Sequence, residues 1–159
     1  MAETTPRKIS MIASKGSLDM AYIPLIVGNA ARMSGVDVNI FFTFWGLDMI
    51  TKKKMNHLHV ATVGNPNMHP AFHIPTLVGL IPGMSHMASW MMRREIAKLD
   101  FPPVGEFIQL LQDSGAKLYG CKMTMDMFGL TKEDLVDGAE VVGAMEFIDM
   151  SEGGQIILV

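Results

Sequence analysis

Between residues 8 and 44 the chain passes from a short apolar run to a helical repeat and back again, and this alternation limits the fold more than any other feature. Residues 8–14, Lys-Ile-Ser-Met-Ile-Ala-Ser, form a brief apolar run bounded by a turn, the pattern of a buried strand. Lys15, Gly16 and Ser17 turn the chain, and Ser17 or Asp19 is placed to cap the helix that follows. Ile23, Ile26, Val27, Ala30 and Met33 recur at helical spacing, and Gly35 stands where a left-handed cap would end the helix. Pro24 inside this repeat predicts a later start or a kink. Over 36–44 the β-branched and aromatic residues return, with Val36, Val38, Ile40, Phe42 and Phe44 on one face of a second strand. Strand, helix, strand is a βαβ unit, which implies parallel strands joined by a right-handed crossover.

The alternation continues. After Trp45 and Gly46 a helix is expected through Met55, and helical pattern resumes near Ser85 and again over 104–112. A strand holding Leu118 follows Gly115, and Thr131 with Asp134 three residues later has the form of a helix start. A brief strand near Glu140, a helix over 144–150 and a last strand over 155–159 complete the chain. Strands alternating with helices throughout predict one α/β domain over 1–159, doubly wound around a mostly parallel sheet of about five strands. There is no internal repeat and no linker.

Composition removes several classes of function. The formal charge is −3, and the only basic run is Lys52, Lys53 and Lys54, so no stripe suited to nucleic acid is present. A single cysteine excludes a disulfide framework and fits a reducing compartment; the N-terminus lacks the pattern of a signal peptide, and a cytoplasmic location is expected. The 16 methionines are read as packing and adaptable contact surface rather than as a Cu(I) site. Residues 60–92 contain no Asp, Glu, Lys or Arg and are rich in Met, Pro and Gly. The 71–92 part is long enough to cross a bilayer, but prolines, glycines, histidines and hydroxyls interrupt it. The expectation is a mobile or self-associating insertion that covers an oligomer contact or lies peripherally on a membrane. A homo-oligomer is expected for the same reason.

The chemistry-bearing candidate is Cys121, at the junction of an apolar strand and the segment after it. If that segment is helical, its unpaired N–H groups favour a thiolate, and Lys117 and Lys122 add positive charge nearby in sequence. The alternative is a small buried hydrophobe. Ser14, Lys15, Gly16 and Ser17 lack the spacing of either phosphate-binding glycine motif. Their turn lies at the carboxyl edge of the sheet, where α/β sites form, so together with Trp45 they are candidate neighbours of the thiol. His57-x-His59 and His69-x-x-x-His73 are the only clustered metal-ligand types; Pro70 breaks the second pair and no acid completes either set. Loop and interface histidines are the default, and neither a metal nor a cofactor is expected.

Three blocks carry a resemblance to a known family: residues 9–19, the Phe42-Thr-Phe-Trp-Gly-Leu47 stretch, and residues 117–129, Lys-Leu-Tyr-Gly-Cys-Lys-Met-Thr-Met-Asp-Met-Phe-Gly. With them the chain resembles the DsrE-like sulfur-relay proteins, in particular the branch labelled peroxiredoxin-like. The resemblance implies a flavodoxin-like three-layer α/β/α fold, homo-oligomers, and a cysteine that carries sulfane sulfur as a persulfide. Only Cys121 maps onto that role. Some relatives carry a second cysteine and this chain has none, which leaves an intramolecular disulfide step without a partner.

The leading reading is a sulfur carrier or sulfurtransferase that takes sulfur from a donor protein or small thiol and passes it to an acceptor thiol. A thiol peroxidase or redox sensor resolved by an external thiol is the second. A non-catalytic oligomeric binding module with Cys121 buried is the third.

Overall fold

A computed structural model describes residues 7–61 and 81–159. Five strands, β1 (Lys8–Ala13), β2 (Asp37–Phe42), β3 (Lys117–Cys121), β4 (Glu140–Val142) and β5 (Gln155–Leu158), form one sheet in the order β4-β3-β2-β1-β5. Every pairing is parallel. The chain steps outward from β1 to β4 in one direction, then returns to place β5 on the other side of β1. The reversal therefore falls between β1 and β5.

Strand alternation separates two cores. Met11, Ala13, Val38, Ile40, Phe42 and Leu118 project to one face, where they meet α1 (Leu18–Met33) and α3 (Val104–Asp113). In α3 the buried residues Val104, Phe107, Ile108 and Leu111 make one apolar stripe at helical spacing. Gly28 lets α1 approach: a Cβ there would lie 3.2 Å from both Leu111 Cδ2 and Met11 Cε. The opposite face carries Phe41, Tyr119, Cys121 and Val142, closed by Phe147 of α5 (Ala144–Met150). Phe41 and Phe147 stack with ring centroids 4.7 Å apart. Helices on both faces of a parallel sheet make the three-layer α/β/α architecture that the alternation implied.

Arg32, at the end of α1, ties three elements together. Its Nη1 donates to Asp37 Oδ1 at 2.8 Å and to the Val36 carbonyl at 2.9 Å, and its Nε donates to the Ser114 carbonyl at 2.8 Å.

Several local expectations change. The second strand stops at Phe42 rather than Phe44, because Phe44 takes a positive φ of 47° and opens a 3-10 turn over Phe44–Met49. The helix expected through Met55 does not form. Its backbone groups are spent elsewhere: Thr51 bridges Leu135, Lys52 N donates to the Asp134 carbonyl at 2.9 Å, and Val136 N to Ile50 at 2.8 Å. The same contacts explain the segment after Thr131. The capping box between Thr131 and Asp134 is present, but the helix is a single 3-10 turn, Lys132–Asp134, before the chain extends into the Leu135 bridge. Pro24 sits within α1, which begins at Leu18, so the later start does not occur.

Of the 60–92 insertion, 62–80 lies outside the described residues, as do His69 and His73. Its end forms α2 (Met84–Lys98), where Ser89 is fully buried, accepting from Val60 N at 2.9 Å. Among the described residues no helix is long and apolar enough to cross a membrane.

Candidate functional site

The carboxyl ends of the parallel strands put the end of β2 beside the end of β3. Phe42 is in register with Gly120, so the next residue on each strand, Thr43 and Cys121, project from adjacent positions on the edge. Cys121 closes β3 with φ −68° and ψ 113° and is the N-cap residue of α4 (Lys122–Phe128). It is 4% exposed, in the cluster under Phe147.

Two threonines build the environment of the sulfur. Thr124, fully buried in the first turn of α4, lies 3.0 Å from Thr43, hydroxyl to hydroxyl. The Phe44 N–H donates to Thr124 Oγ1 at 3.4 Å. Burial pushes the Cys121 thiol pKa up. Hydrogen bonds from the Thr124 hydroxyl and N–H, the Thr43 hydroxyl and the Met123 N–H outweigh burial, and the thiol is held below its ordinary value. The two hydroxyls share two protons. When either hydroxyl donates to the other, the acceptor's own proton remains for the sulfur, so while their 3.0 Å contact is made the pair gives Cys121 one hydroxyl donor at a time.

The other predicted residues fall into a neighbouring group. The Ser14 N–H and hydroxyl both donate to the Val159 carbonyl, at 3.2 and 3.3 Å, which fastens the end of β5 beside β1. Gly16 presses on the 3-10 turn: a Cβ there would lie 2.1 Å from the Trp45 carbonyl oxygen. Gly46 returns the contact, with a Cβ position 2.0 Å from the Ala13 carbonyl oxygen. Ser17 occupies the N-cap of α1 without a side-chain bond, and Lys15 and Trp45 are exposed. The structure thus brings Ser14, Lys15, Gly16, Ser17 and Trp45 together at the ends of β1 and β2. The donors to the sulfur come instead from Thr43, Met123 and Thr124. Lys122 points to Asp126, with which it pairs at 3.4 Å, and neither Lys15 nor Lys122 is among the groups that shift the thiol.

Thr43 and Thr124 were not singled out from the sequence. Thr124 had a signal: it is three residues after a cysteine at a strand-to-helix junction, the spacing at which capping partners meet. Thr43 becomes a neighbour only once β2 is known to lie next to β3.

His59 and His86 meet edge to face with ring centroids 4.5 Å apart. Burial lowers the His59 pKa, and the positive fields of His86, Arg93 and His57 lower it further. Among the described residues no group of three or more His, Cys, Asp or Glu side chains is arranged to hold a metal ion.

Fold and site together define a three-layer α/β protein with a single buried cysteine at the carboxyl edge of its parallel sheet. The chain belongs to the DsrE/DsrF/DrsH-like family, whose profile matches residues 5–159. It is 35% identical over 156 residues to the sulfur carrier protein DsrE2 of Allochromatium vinosum, covering 96% of this chain and 97% of that one. It is 26% identical over 159 residues to the uncharacterized protein YrkE of Bacillus subtilis, with 99% of each chain covered. Two solved structures share the fold. The protein of unknown function MTH1491 from Methanobacterium thermoautotrophicum superposes with a TM-score of 0.55 at 14% identity, over 98% of this chain and all of that one. The ychN protein from E. coli gives 0.53 at 11% identity, over 96% and 99%.

Proposed function

We propose that Cys121 carries sulfane sulfur as a persulfide and hands it to an acceptor thiol. The Cys121 thiolate attacks the terminal sulfur of a donor persulfide, forming Cys–S–SH and releasing the donor thiolate. An acceptor thiolate then attacks that terminal sulfur, and Cys121 leaves as the thiolate it began as. No net oxidation occurs in either step, and no second cysteine is needed. The observation that carries this reading is the place of Cys121 at the carboxyl end of β3 beside Thr43 and Thr124, where the threonine hydroxyls and the Met123 and Thr124 N–H groups hold its thiol below the ordinary value. They favour the anionic form, which is both nucleophile and leaving group. The likeness to a sulfur carrier protein supports the same role.

Burial under Phe147 suits a persulfide, which stray thiols and oxidants would otherwise consume. Six of the exposed side chains on the segments flanking Cys121 are large and apolar, Phe44 and Trp45 before it, Met123 and Met127 on α4, Met145 and Ile148 on α5, and they are interspersed with the exposed Lys122, Asp126, Glu146 and Asp149. We read this rim as the surface on which donor and acceptor proteins, or further copies of this chain in a homo-oligomer, make contact in a reducing cytoplasm. Peripheral membrane contact through 71–92 belongs to the same proposal.

The 4% exposure favours a second reading, a packed and inert cysteine. Cyanolysis separates the two. After incubation with a sulfane donor and desalting, the carrier releases about one thiocyanate per chain when treated with cyanide, from its one persulfide. The Cys121→Ala protein releases none. Absence of thiocyanate from the wild-type protein overturns the proposal.

A further inference from the structure

A cavity of about 370 Å³ opens between α1, α2 and α3, away from Cys121. That volume is in the range of small-ligand sites. Its buried lining is apolar, with Leu18, Tyr22 and Val104 at the floor. Its exposed lining holds two polar side chains, Arg93 and Asn56, beside Ala97 and Pro103. The Tyr22 hydroxyl is spent on the Pro102 carbonyl at 3.0 Å, so this residue offers the cavity its ring. Asn56 accepts from Gly105 N at 3.2 Å through Oδ1, which leaves its amide N–H groups for a ligand.

Arg93 sets the sign of that ligand. Its guanidinium donates to the Leu58 carbonyl, and among the described residues no carboxylate pairs with it. Glu95 on the same helix is taken by Lys98 at 2.6 Å. The stretch 60–92 holds no acid. The positive field of Arg93 extends over the cavity floor, where it opposes the upward shift that burial gives the Tyr22 phenol. A planar cation with free donors above an apolar pocket matches a carboxylate on an apolar body.

We propose that this cavity binds a small amphipathic organic anion, an aliphatic or aromatic monocarboxylate, with its carboxylate on Arg93 and Asn56 and its apolar part against Tyr22, Met55, Ile96 and Phe101. The site is independent of the sulfur chemistry at Cys121.

Titration calorimetry of the full chain with octanoate, octanol and acetate tests it. Octanoate is expected to bind saturably at one per chain, with octanol and acetate each weaker by about tenfold or more, the loss of one charge-assisted contact or of the apolar burial. Arg93→Gln should weaken octanoate by about tenfold and leave octanol unchanged. Ala97→Phe, which fills the lining, should abolish binding while persulfide loading of Cys121 stays as in wild type. No saturable octanoate binding to the wild-type protein overturns the proposal. So does octanol or acetate binding as tightly as octanoate, or an Arg93→Gln protein that binds octanoate undiminished. The three-ligand comparison on wild type decides the matter by itself if a variant does not fold.

Discussion

Removing the Thr124 hydroxyl should raise the Cys121 pKa. Thr124→Val keeps the shape of a fully buried side chain and deletes one group, the hydroxyl that donates to the sulfur. A hydrogen bond to a charged acceptor contributes about 1.5–3 kcal/mol. At 1.36 kcal/mol per pKa unit, losing it shifts the thiol upward by about 1–2 units. Thr43, which loses the acceptor that lies 3.0 Å away, keeps its own hydroxyl for the sulfur and holds the shift to that range. The assay is the rate of thiol alkylation against pH, whose midpoint reports the thiolate even when burial makes the absolute rate slow. Thr124→Ser, which restores the hydroxyl, should return the midpoint most of the way to wild type. A Thr124→Val midpoint equal to or below the wild-type value would refute the claim that the threonine pair holds the thiolate.

The depressed thiol also links to stability. A cysteine whose folded pKa lies below its unfolded value adds stability that is fully present above the unfolded value and is lost as pH falls through the folded one. The unfolding midpoint of wild type relative to Cys121→Ser should therefore rise with pH across that window, and a flat difference contradicts the sign. Phe147→Ala should cost about 3–5 kcal/mol in denaturant unfolding and speed alkylation of Cys121, because the ring closes the cluster over the thiol. Arg32→Met should cost about 1.5–3 kcal/mol by losing charged hydrogen bonds to β2 and the end of α3, with the Cys121 midpoint unchanged. Gly16→Ala forces a Cβ onto the Trp45 carbonyl and should cost about 3 kcal/mol, measured the same way.

How much of this was legible in the sequence follows from which interactions are local. The unit from β1 to β2 could be read directly, because apolar runs and a helical repeat with a closing glycine are properties of neighbouring residues. The position of Cys121 at the end of β3 was legible for the same reason. The 3-10 turn after β2 was not. Thr51, Lys52 and Ile50 give their backbone groups to the 134–136 strap, more than 80 positions away, and nothing local signals that exchange. The site was half legible. The N–H groups at the start of α4 were legible and do act on the thiol, whereas the lysines read as added charge do not: Lys122 pairs with Asp126, and the hydroxyls of Thr43 and Thr124 join the N–H groups instead. Thr43 reaches the sulfur only because β2 and β3 are adjacent, a fact of strand order that no single stretch encodes. The order β4-β3-β2-β1-β5 also puts the chain reversal at β1 and β5, so the Ser14 turn and Cys121 occupy separate stations along one edge.

The central claim is that Cys121 accepts sulfur. Intact mass spectrometry of the native protein after brief incubation with a sulfane donor tests it most directly. The account predicts a gain equal to one sulfur atom on the wild-type chain, removed by a reducing thiol and absent from Cys121→Ala. A wild-type mass that does not change, or an equal gain on the Cys121→Ala protein, would contradict it.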